Sequence, residues 1–326
     1  MRIRCRAQAG GGDNCPVFSK REPVVRQIAL EELKAWIVHE DERLLVIDKP
    51  GDVVCHPSKA GPWSSLVGAA RGYTGLPTMH LVFRLDRETS GIVVLAKDAA
   101  TAGRLQKAMQ KRQVRKTYLA VLTGELVEPV TVDQPLGDDL ASPVSIKTTV
   151  RADGKAAVSH FLPLAQAGGY TLAQVNLESG RKHQIRAHAQ WLGHAVVGDK
   201  LYGPDPALYL EFVQGGWTAA LAERLILPRQ ALHCWKIEFR LDDWSRPFST
   251  PLPADLRDFC QQCGLPAAAN SRPGPFQSPP GERPRAPLGP AGTGSRRCSA
   301  AERGARLGGR PIPATVPSRP APGPAG

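Results

Sequence analysis

The chain has 326 residues, 42% of them hydrophobic, and a formal charge of +12 at pH 7, which favours a polyanionic partner. Its longest central apolar run, 92–96, is far short of the roughly 20 residues of a membrane-spanning helix. Seven scattered cysteines and an N-terminus without an apolar core exclude a disulfide-rich or secreted protein, so we expect a cytoplasmic one.

Short strands and polar turns dominate the first half of the chain. Residues 1–35 are a poorly defined N-terminal extension, and the catalytic domain is predicted over 36–266. Short apolar runs predict strands over 44–47, 81–85 and 92–96. Asp98 is then a plausible N-cap of a helix. The buried face of that helix comprises Ala102, Leu105, Ala108 and Met109.

The second half continues the same pattern. Strands are predicted over 117–122, 157–162, 170–177 and 232–241, and a helix ends near Gly193. Strands outnumber the two or three helices, and no regular parallel β-α-β series is present. The fold class is therefore α+β, with a mixed, mostly antiparallel sheet.

A tail rich in Pro, Gly and Arg follows the domain over residues 267–326. Its last 56 residues carry nine Arg, two Glu and no Lys, together with 13 Pro and 10 Gly. Few large apolar side chains offset the entropy of ordering it, so we expect disorder. Because +7 of the charge lies in this tail, only +5 remains for residues 1–270 as support for nucleic-acid binding.

Asp86 stands where an apolar segment gives way to a turn. Arg84 and Arg87 flank it, and a nearby guanidinium keeps a carboxylate ionised and available as a nucleophile or base. An Asp that only organises the turn fits the same residues, and spacing alone favours that structural interpretation. Further hydrogen-bond donors in the segment are Thr89, Ser90 and the amide of Gly91.

The predicted helix after Gly180 carries a polar face. His183, Arg186 and Gln190 share one side at helical spacing, and that side suits a carboxylate or a phosphate; a plain solvated basic face is the alternative. Arg181 and Lys182 add charge at its start. The opposite, core-facing side comprises Ile185, Ala189 and Leu192.

Two spacings argue against a metal site. His183 and His188 stand at i and i+5, which does not stack two side chains on one helical face. The pair Cys260 and Cys263 has no second pair or matching histidines nearby. We therefore predict no metal.

A third segment, residues 115–118, opens a strand. Strand alternation directs Lys116 and Tyr118 to the same face. A tyrosine there can stack on a base, or it can pack on the sheet; taken alone, the residue favours packing.

In this order and separation, the three segments resemble the RluA-type pseudouridine synthase family, whose signature combines an HRLDxxTSG-like motif, an RKxY strand and GRxHQIRxH. Further matching runs are residues 48–51 leading to His56-Pro57, residues 197–203 and residues 229–233. The resemblance spans about residues 37–256.

The resemblance implies an enzyme that isomerises a specific uridine in structured ribosomal or transfer RNA. It implies Asp86 as the catalytic aspartate, Tyr118 against the uracil, and Arg186 as the partner of Asp86. It also implies the family's long mixed sheet with a central cleft, no metal, nucleotide or organic cofactor, and we expect a monomer. The substrate-binding candidates are Arg84, Arg87, Thr89, Ser90, Gly91, Lys116, Arg181, Lys182, His183 and Gln184.

The chain departs from the family pattern at Phe83, where a histidine is usual, and the first 35 residues contain no S4-like RNA-binding domain. A relative that binds RNA without turnover is one competing hypothesis, and an intact Asp86, Tyr118 and Arg186 argue against it. A hydrolase using Ser179 and Lys182 as an S-x-x-K motif is another. That hypothesis requires the Ser179 hydroxyl beside Lys182.

Overall fold

The computed structural model describes residues 26–56 and 61–266. The predicted tail, Pro57 and residues 1–25 of the N-terminal extension lie outside the described residues. The strands are β1 (Ile37–Glu40), β2 (Leu44–Lys49), β3 (His80–Leu81), β4 (Ser90–Ala96), β5 (Val114–Thr123), β6 (Val130–Asp133), β7 (Leu136–Asp138), β8 (Thr148–Val150), β9 (Val158–Ala167), β10 (Tyr170–Leu177), β11 (Leu232–Leu241) and β12 (Trp244–Ser249).

Seven α-helices flank the strands in the described part of the chain. Among residues 26–56 and 61–266, none is long and apolar enough to cross a membrane. The helices are α1 (Leu30–Ala35), α2 (Leu66–Thr74), α3 (Ala99–Gln110), α4 (Gln184–Trp191), α5 (Ala207–Gly215), α6 (Ala219–Leu225) and α7 (Ala254–Gln262).

Ten strands form one long sheet in the order β1-β2-β4-β11-β5-β10-β9-β6, with β12 paired to β11 and β3 paired to β4. The pair β4·β11 is parallel, and the other pairs of this sheet are antiparallel. The hairpin β9–β10 turns at Gly168 and Gly169, both at positive φ, as a tight hairpin requires. The predicted α+β class with a mixed, mostly antiparallel sheet is confirmed.

Most predicted elements have observed counterparts. The predicted strands 170–177 and 232–241 coincide with β10 and β11. Asp98 caps α3, since its carboxylate accepts the Thr101 N–H at 2.8 Å. Gly193, at φ 82, follows the end of α4 as expected.

The predicted strand over 81–85 is wrong. Strand β3 ends at Leu81, and the chain leaves the sheet before Asp86. The apolar run is explained by burial, because Val82, Phe83 and Leu85 are core residues of a loop. An apolar run bounded by turns does not by itself distinguish a strand from a buried loop.

The number of helices and the start of the packed domain also differ from prediction. Two or three helices were expected, whereas the described residues form seven. Ile28 and Leu33, within the predicted extension, are buried in the main core. Packed structure therefore begins before residue 36.

The sheet is joined closely where β4 begins. Gly91 pairs with Cys234 in the parallel ladder, has φ 110, and would place a Cβ 2.3 Å from the Cys234 carbonyl oxygen. Only glycine accepts both the backbone conformation and this approach. The turn carrying Asp86 is thus held directly against the centre of the sheet.

Candidate active site

Asp86 lies in a tight turn that leads into β4. The Thr89 N–H donates to the Asp86 carbonyl at 3.2 Å. The Arg87 carbonyl accepts from the buried Lys49 ammonium at 3.0 Å and from the Asp52 N–H at 2.8 Å. The backbone after Asp86 is therefore fixed by β2 and the loop that follows it.

The other half of the turn is held from the C-terminal part of the chain. The Arg229 guanidinium donates to the Glu88 carbonyl at 3.1 Å, and the Gln230 amide donates to the Thr89 hydroxyl at 2.6 Å. The Glu88 carboxylate accepts from the Lys200 ammonium at 2.6 Å. Every residue from 87 to 89 is thus anchored by a neighbouring element.

Arg186, on α4, joins two carboxylates. Its guanidinium donates to Asp86 at 2.9 Å and, through two nitrogens, to Asp199 at 2.6 and 2.8 Å. The Arg186 side chain is 9% exposed and Asp199 is fully buried, whereas the Asp86 side chain is 31% exposed. The buried Asp199 therefore fixes Arg186 on the side away from Asp86, and Asp86 lines the cleft.

The charge of Arg186 sets the ionisation of its neighbours. Burial favours the neutral acid of Asp86, but the Arg186 guanidinium and a Gln230 hydrogen bond outweigh it and hold the pKa of Asp86 below its ordinary value. Burial opposes ionisation of Asp199 as well, and Arg186 again lowers the pKa. Asp86 is therefore a carboxylate at neutral pH.

His183 stands at the N-terminal end of α4 in a left-handed conformation, φ 55. Its Nδ1 lies 3.0 Å from the Tyr202 hydroxyl, and its Nε2 lies 3.9 Å from Asp86 Oδ2. Burial and the charge of Arg186 lower the pKa of His183 to about 4. It is therefore neutral at pH 7, and Arg186 is the cation that faces Asp86.

Tyr118, on β5, is the cross-strand partner of Cys234 on β11. Burial, the Cys234 thiol and the nearby Asp86 carboxylate raise the pKa of Tyr118 well above its ordinary value. The phenol is therefore protonated at neutral pH. Lys116, two residues earlier on β5, also interacts electrostatically with Cys234, and burial lowers the pKa of Lys116.

These groups converge on one cleft with about 400 Å³ of empty space, part of it open to solvent. The cleft draws on the Asp86 turn, β5, the start of β11 and the residues around the start of α4. Its lining residues are Arg84, Leu85, Asp86, Thr89, Tyr118, Leu177, Arg181, His183, Gln184, Ile185, Arg186 and Leu232.

Basic residues stand around this cleft. Exposed Arg84 lies 3.0 Å from His56 Nε2, and exposed Arg181 donates to the Ala156 carbonyl. The Lys116 ammonium lies 4.9 Å from the centre of the Phe83 ring, a cation–π contact. Phe83 is buried, and its ring is also the aromatic partner of the Lys116 ammonium.

Among the predicted substrate contacts, Ser90, Gly91 and Gln184 are buried, and Ser90 and Gly91 are not among the residues that line the cleft. Ser90 is 1% exposed and lies 3.0 Å from His233 Nδ1, and Gly91 packs on the Cys234 backbone. Buried Gln184 bonds Ser179, Ser159 and two backbone groups. Ser90 and Gly91 thus support the turn from within the sheet, and Gln184 holds the start of α4 while also lining the cleft.

The two remaining candidates are surface residues. The exposed Arg87 donates to the Asp52 carbonyl at 3.1 Å. Lys182 pairs with Asp138 at 3.3 Å, while the Ser179 hydroxyl donates to Gln184.

The hydrolase alternative has no support, because Ser179 and Lys182 have separate partners. No group of three His, Cys, Asp or Glu side chains suits a metal ion in residues 26–56 and 61–266.

Sequence reasoning assigned no role to several residues that shape the site. Asp199 and Lys200 belong to the run 197–203, and Arg229 and Gln230 to the run 229–233; both runs were noted only for their resemblance. Glu88 was passed over inside the Asp86 segment. Their roles depend on contacts across 13 to 141 residues of sequence, which no local pattern reports.

Solved structures share this fold. Human RNA Pseudouridylate Synthase Domain Containing 1 matches with a TM-score of 0.53 and 25% identity, covering 66% of this chain and 82% of that one. Human RNA Pseudouridylate Synthase Domain Containing 4 matches with a TM-score of 0.59 and 22% identity, covering 73% of this chain and 96% of that one. The sheet and cleft are those of a pseudouridine synthase.

Sequence comparisons agree. The RNA pseudouridylate synthase family pattern matches residues 43–191. Ribosomal large subunit pseudouridine synthase D of Nitrosomonas europaea is 33% identical over 82% of this chain and 77% of that protein. The protein of the same name from Xanthomonas campestris is 35% identical over 70% of this chain and 69% of its own length. The chain belongs to the RluA-type family of RNA pseudouridine synthases, isomerases that act on uridine in RNA.

Proposed function

We propose that this enzyme converts uridine to pseudouridine in large-subunit ribosomal RNA, with Asp86 as its catalytic carboxylate. The observation that carries the proposal is the ion pair of Asp86 and Arg186 at the edge of the cleft, with Tyr118 in the same lining. The carboxylate is ionised, partly exposed and fixed in orientation. Those are the properties that a nucleophile or base at the ribose requires.

The reaction moves one glycosidic bond. In one route Asp86 bonds to C1′ as the N1–C1′ bond breaks, the uracil anion rotates, and C5 then displaces the carboxylate from C1′. In the other, Asp86 removes the C2′ proton to give a glycal, and C5 adds to C1′ as C2′ regains its proton. Both end with loss of the C5 proton and protonation of N1, and both need an ionised Asp86.

Arg186 and Tyr118 have separate tasks in this proposal. Arg186 keeps Asp86 ionised and aimed, and its bidentate contact with Asp199 prevents it from following the carboxylate. Tyr118 places a neutral phenol against the base. Because its pKa is raised, Tyr118 stays a protonated phenol that packs on the base and can hydrogen-bond to it, and it is not a resting phenolate that could take the C5 proton.

The target nucleotide has to leave its stack to reach Asp86. Arg84 and Arg181 line the cleft, and Lys116 lies beside Gly180 next to it. These cations suit the flanking phosphates, whose contacts offset the cost of flipping. Large-subunit ribosomal RNA is preferred over transfer RNA because both bacterial relatives described above are named for the large subunit.

The proposal also covers cofactors, assembly and location. The isomerisation is redox-neutral, and its bond changes are balanced by the carboxylate and proton transfers, so we propose catalysis without a metal or organic cofactor. We further propose that the enzyme acts as a monomer in the cytoplasm. The proposed location follows from the proposed substrate, ribosomal RNA, and from the bacterial source of the two relatives described above.

The test is carbodiimide mapping of pseudouridine in total RNA from cells with and without the gene, complemented by wild type or Asp86→Asn. We expect wild type to restore one or more sites in large-subunit ribosomal RNA. Asp86→Asn keeps the size of the side chain but lacks the nucleophile, so it is expected to restore none. Arg104→Gln, on the outer face of α3, is a matched control expected to restore all.

Two outcomes contradict the proposal. Restoration by Asp86→Asn rejects Asp86 as the catalytic carboxylate. Restoration by wild type at transfer-RNA sites alone rejects the ribosomal substrate but keeps the assignment of Asp86.

A further inference from the structure

The buried turn after α4 carries two adjacent charges of opposite sign. Asp199 is fully buried and Lys200 is 2% exposed. Burying neighbouring charges is costly unless each has a fixed partner. Each of these charges has one, and the two partners belong to opposite sides of the active site.

Asp199 secures the arginine side. It accepts both Arg186 contacts, and its Oδ1 also accepts the N–H groups of Leu201 and Tyr202 at 3.0 Å. The carboxylate is therefore held by its own backbone and cannot rotate away with Arg186. This arrangement fixes Arg186 relative to the 199–202 turn.

Lys200 secures the aspartate side. Its ammonium donates to the Glu88 carboxylate at 2.6 Å and to the Pro228 carbonyl at 2.5 Å. It also lies 4.4 Å from the Phe212 ring centre and 5.6 Å from that of Trp217, two cation–π contacts. Residues of the segment 204–228 thus fix the position of the Lys200 ammonium, and the ammonium in turn fixes the Glu88 carboxylate.

Glu88 is part of the turn closed by the hydrogen bond between Thr89 and Asp86. The other tethers of that turn are bonds to the Arg87 and Glu88 carbonyls and to the Thr89 hydroxyl. The bonds from Lys49 and Arg229 have one charged partner, whereas the contact with Lys200 joins two full charges, its ammonium and the Glu88 carboxylate. Moving Glu88 would turn the backbone from which the Asp86 side chain projects.

We infer that Asp199 and Lys200 form a clamp that sets the geometry of the Asp86–Arg186 pair, Asp199 by fixing Arg186 and Lys200 by fixing the Asp86 turn. Lys200 is therefore a positioning residue. The inference rests on the proposed role of Asp86. It gives the run 197–203 a function in catalysis beyond packing.

The main test is Lys200→Met, which removes the ammonium and keeps a stem of similar length. A shift of about 1 Å in a catalytic group costs up to about 100-fold, so we expect kcat to fall about 10- to 100-fold with KM within about threefold of wild type. The measurement is pseudouridine formation in ribosomal RNA isolated from a strain lacking the gene, at temperatures where the variant is folded.

Lys97→Met is the matched control. Lys97 also pairs with a carboxylate at 2.6 Å, that of Glu40, but it lies at the far end of β4. We expect its kcat to equal that of wild type. Lys200→Met and Lys97→Met both lose an ion pair, so a difference in kcat between them reports position rather than stability.

Variants of Glu88 add a second measurement. Glu88→Gln retains an oxygen that accepts from Lys200 and is expected to keep most of the activity, whereas Glu88→Ala is expected to resemble Lys200→Met. The double variant Lys200→Met/Glu88→Ala should be no slower than either single variant, because both break the same contact.

Two results overturn the clamp. One is a folded Lys200→Met enzyme with lowered Tm and a kcat within twofold of wild type. The other is a crystal structure of Lys200→Met in which the Asp86 turn and its contact with Arg186 are unchanged, which decides the matter without any RNA. Activity retained by Asp86→Asn would instead reject the proposed function.

Discussion

Two cations lie in or next to the cleft, and their surroundings are opposite: Arg186 lines the cleft, whereas the Lys116 ammonium lies next to it, beside Gly180. Arg186 is buried between Asp86 and Asp199, so its charge is matched on two sides. Lys116 is half-buried against the Phe83 ring, and it makes no ion pair with a carboxylate in the part of the chain that the structure describes. One cation has fixed partners of opposite charge within the protein, and the other has none among the described residues, which supports its proposed contact with an RNA phosphate.

The difference separates chemistry from binding. A neutralised, bidentate arginine is rigid and gives little long-range attraction, so it suits the orientation of Asp86. The Lys116 ammonium lies on an aromatic face and has room beside it, because Gly180 has no side chain next to the Lys116 Nζ, while burial lowers the pKa of Lys116. The comparison predicts that changes at Arg186 alter kcat and changes at Lys116 alter KM.

Arg186→Lys is expected to have the largest effect. The lysine keeps the charge but cannot hold Asp86 and Asp199 together through a planar fork. We expect kcat to fall about 100-fold or more, as when a preorganised donor is lost, with KM within about threefold. Steady-state kinetics on ribosomal RNA measure this, and Arg240→Lys, at a surface position of β11, is the control. A kcat near that of wild type would break the comparison.

Lys116→Met is expected to have an intermediate effect of the opposite kind. Losing one phosphate contact should raise KM about tenfold and reduce the slope of log affinity against log salt by about one, with kcat retained. Filter binding at several salt concentrations checks the slope. Lys34→Met, which breaks a surface pair with Glu31, should leave it unchanged. If Lys116→Met lowers kcat and preserves the salt slope, Lys116 belongs with Arg186.

The smallest expected effect is that of acid on kcat. The Arg186 guanidinium outweighs burial and holds the pKa of Asp86 below its ordinary value, so the carboxylate stays ionised, and kcat should change less than about twofold between about pH 7 and about pH 5. Since the native pKa is depressed, ionisation of Asp86 stabilises the fold above its unfolded pKa, and this contribution is lost as the pH falls through the native value. Rates at saturating RNA test the first point, and urea unfolding of wild type and Asp86→Asn tests the second. A kcat that falls to half its value near pH 6 would contradict the expectation that Asp86 stays ionised down to about pH 5.

Local patterns in the sequence predicted much of the fold. The strands 170–177 and 232–241 and the cap at Asp98 follow from alternation and capping, which depend on neighbouring residues. The strand 81–85 failed because burial of Val82, Phe83 and Leu85 in a loop leaves the same apolar signature as a strand.

The site was predicted in part, and largely through resemblance. The residues of the Asp86 turn alone favoured a structural aspartate, and spacing alone favoured a packing role for Tyr118. The meeting of Asp86 with Arg186, 100 residues later, is a tertiary contact. The roles of the buried Asp199 and Lys200 were missed for the same reason. A lysine in a sequence suggests a surface residue, and only the folded chain brings Glu88, Pro228 and Phe212 to the Lys200 ammonium.

The parallel pairing of β4 with β11 also affects when the enzyme becomes active during synthesis. Strand β11 is inserted between β4 and β5, and Arg229 and Gln230 at its start hold a turn made 141 residues earlier. A nascent chain that ends before β11 lacks the centre of its sheet and two anchors of the Asp86 turn. The active site is therefore incomplete until β11 has been synthesised, and a chain that ends earlier lacks the cleft that RNA would enter.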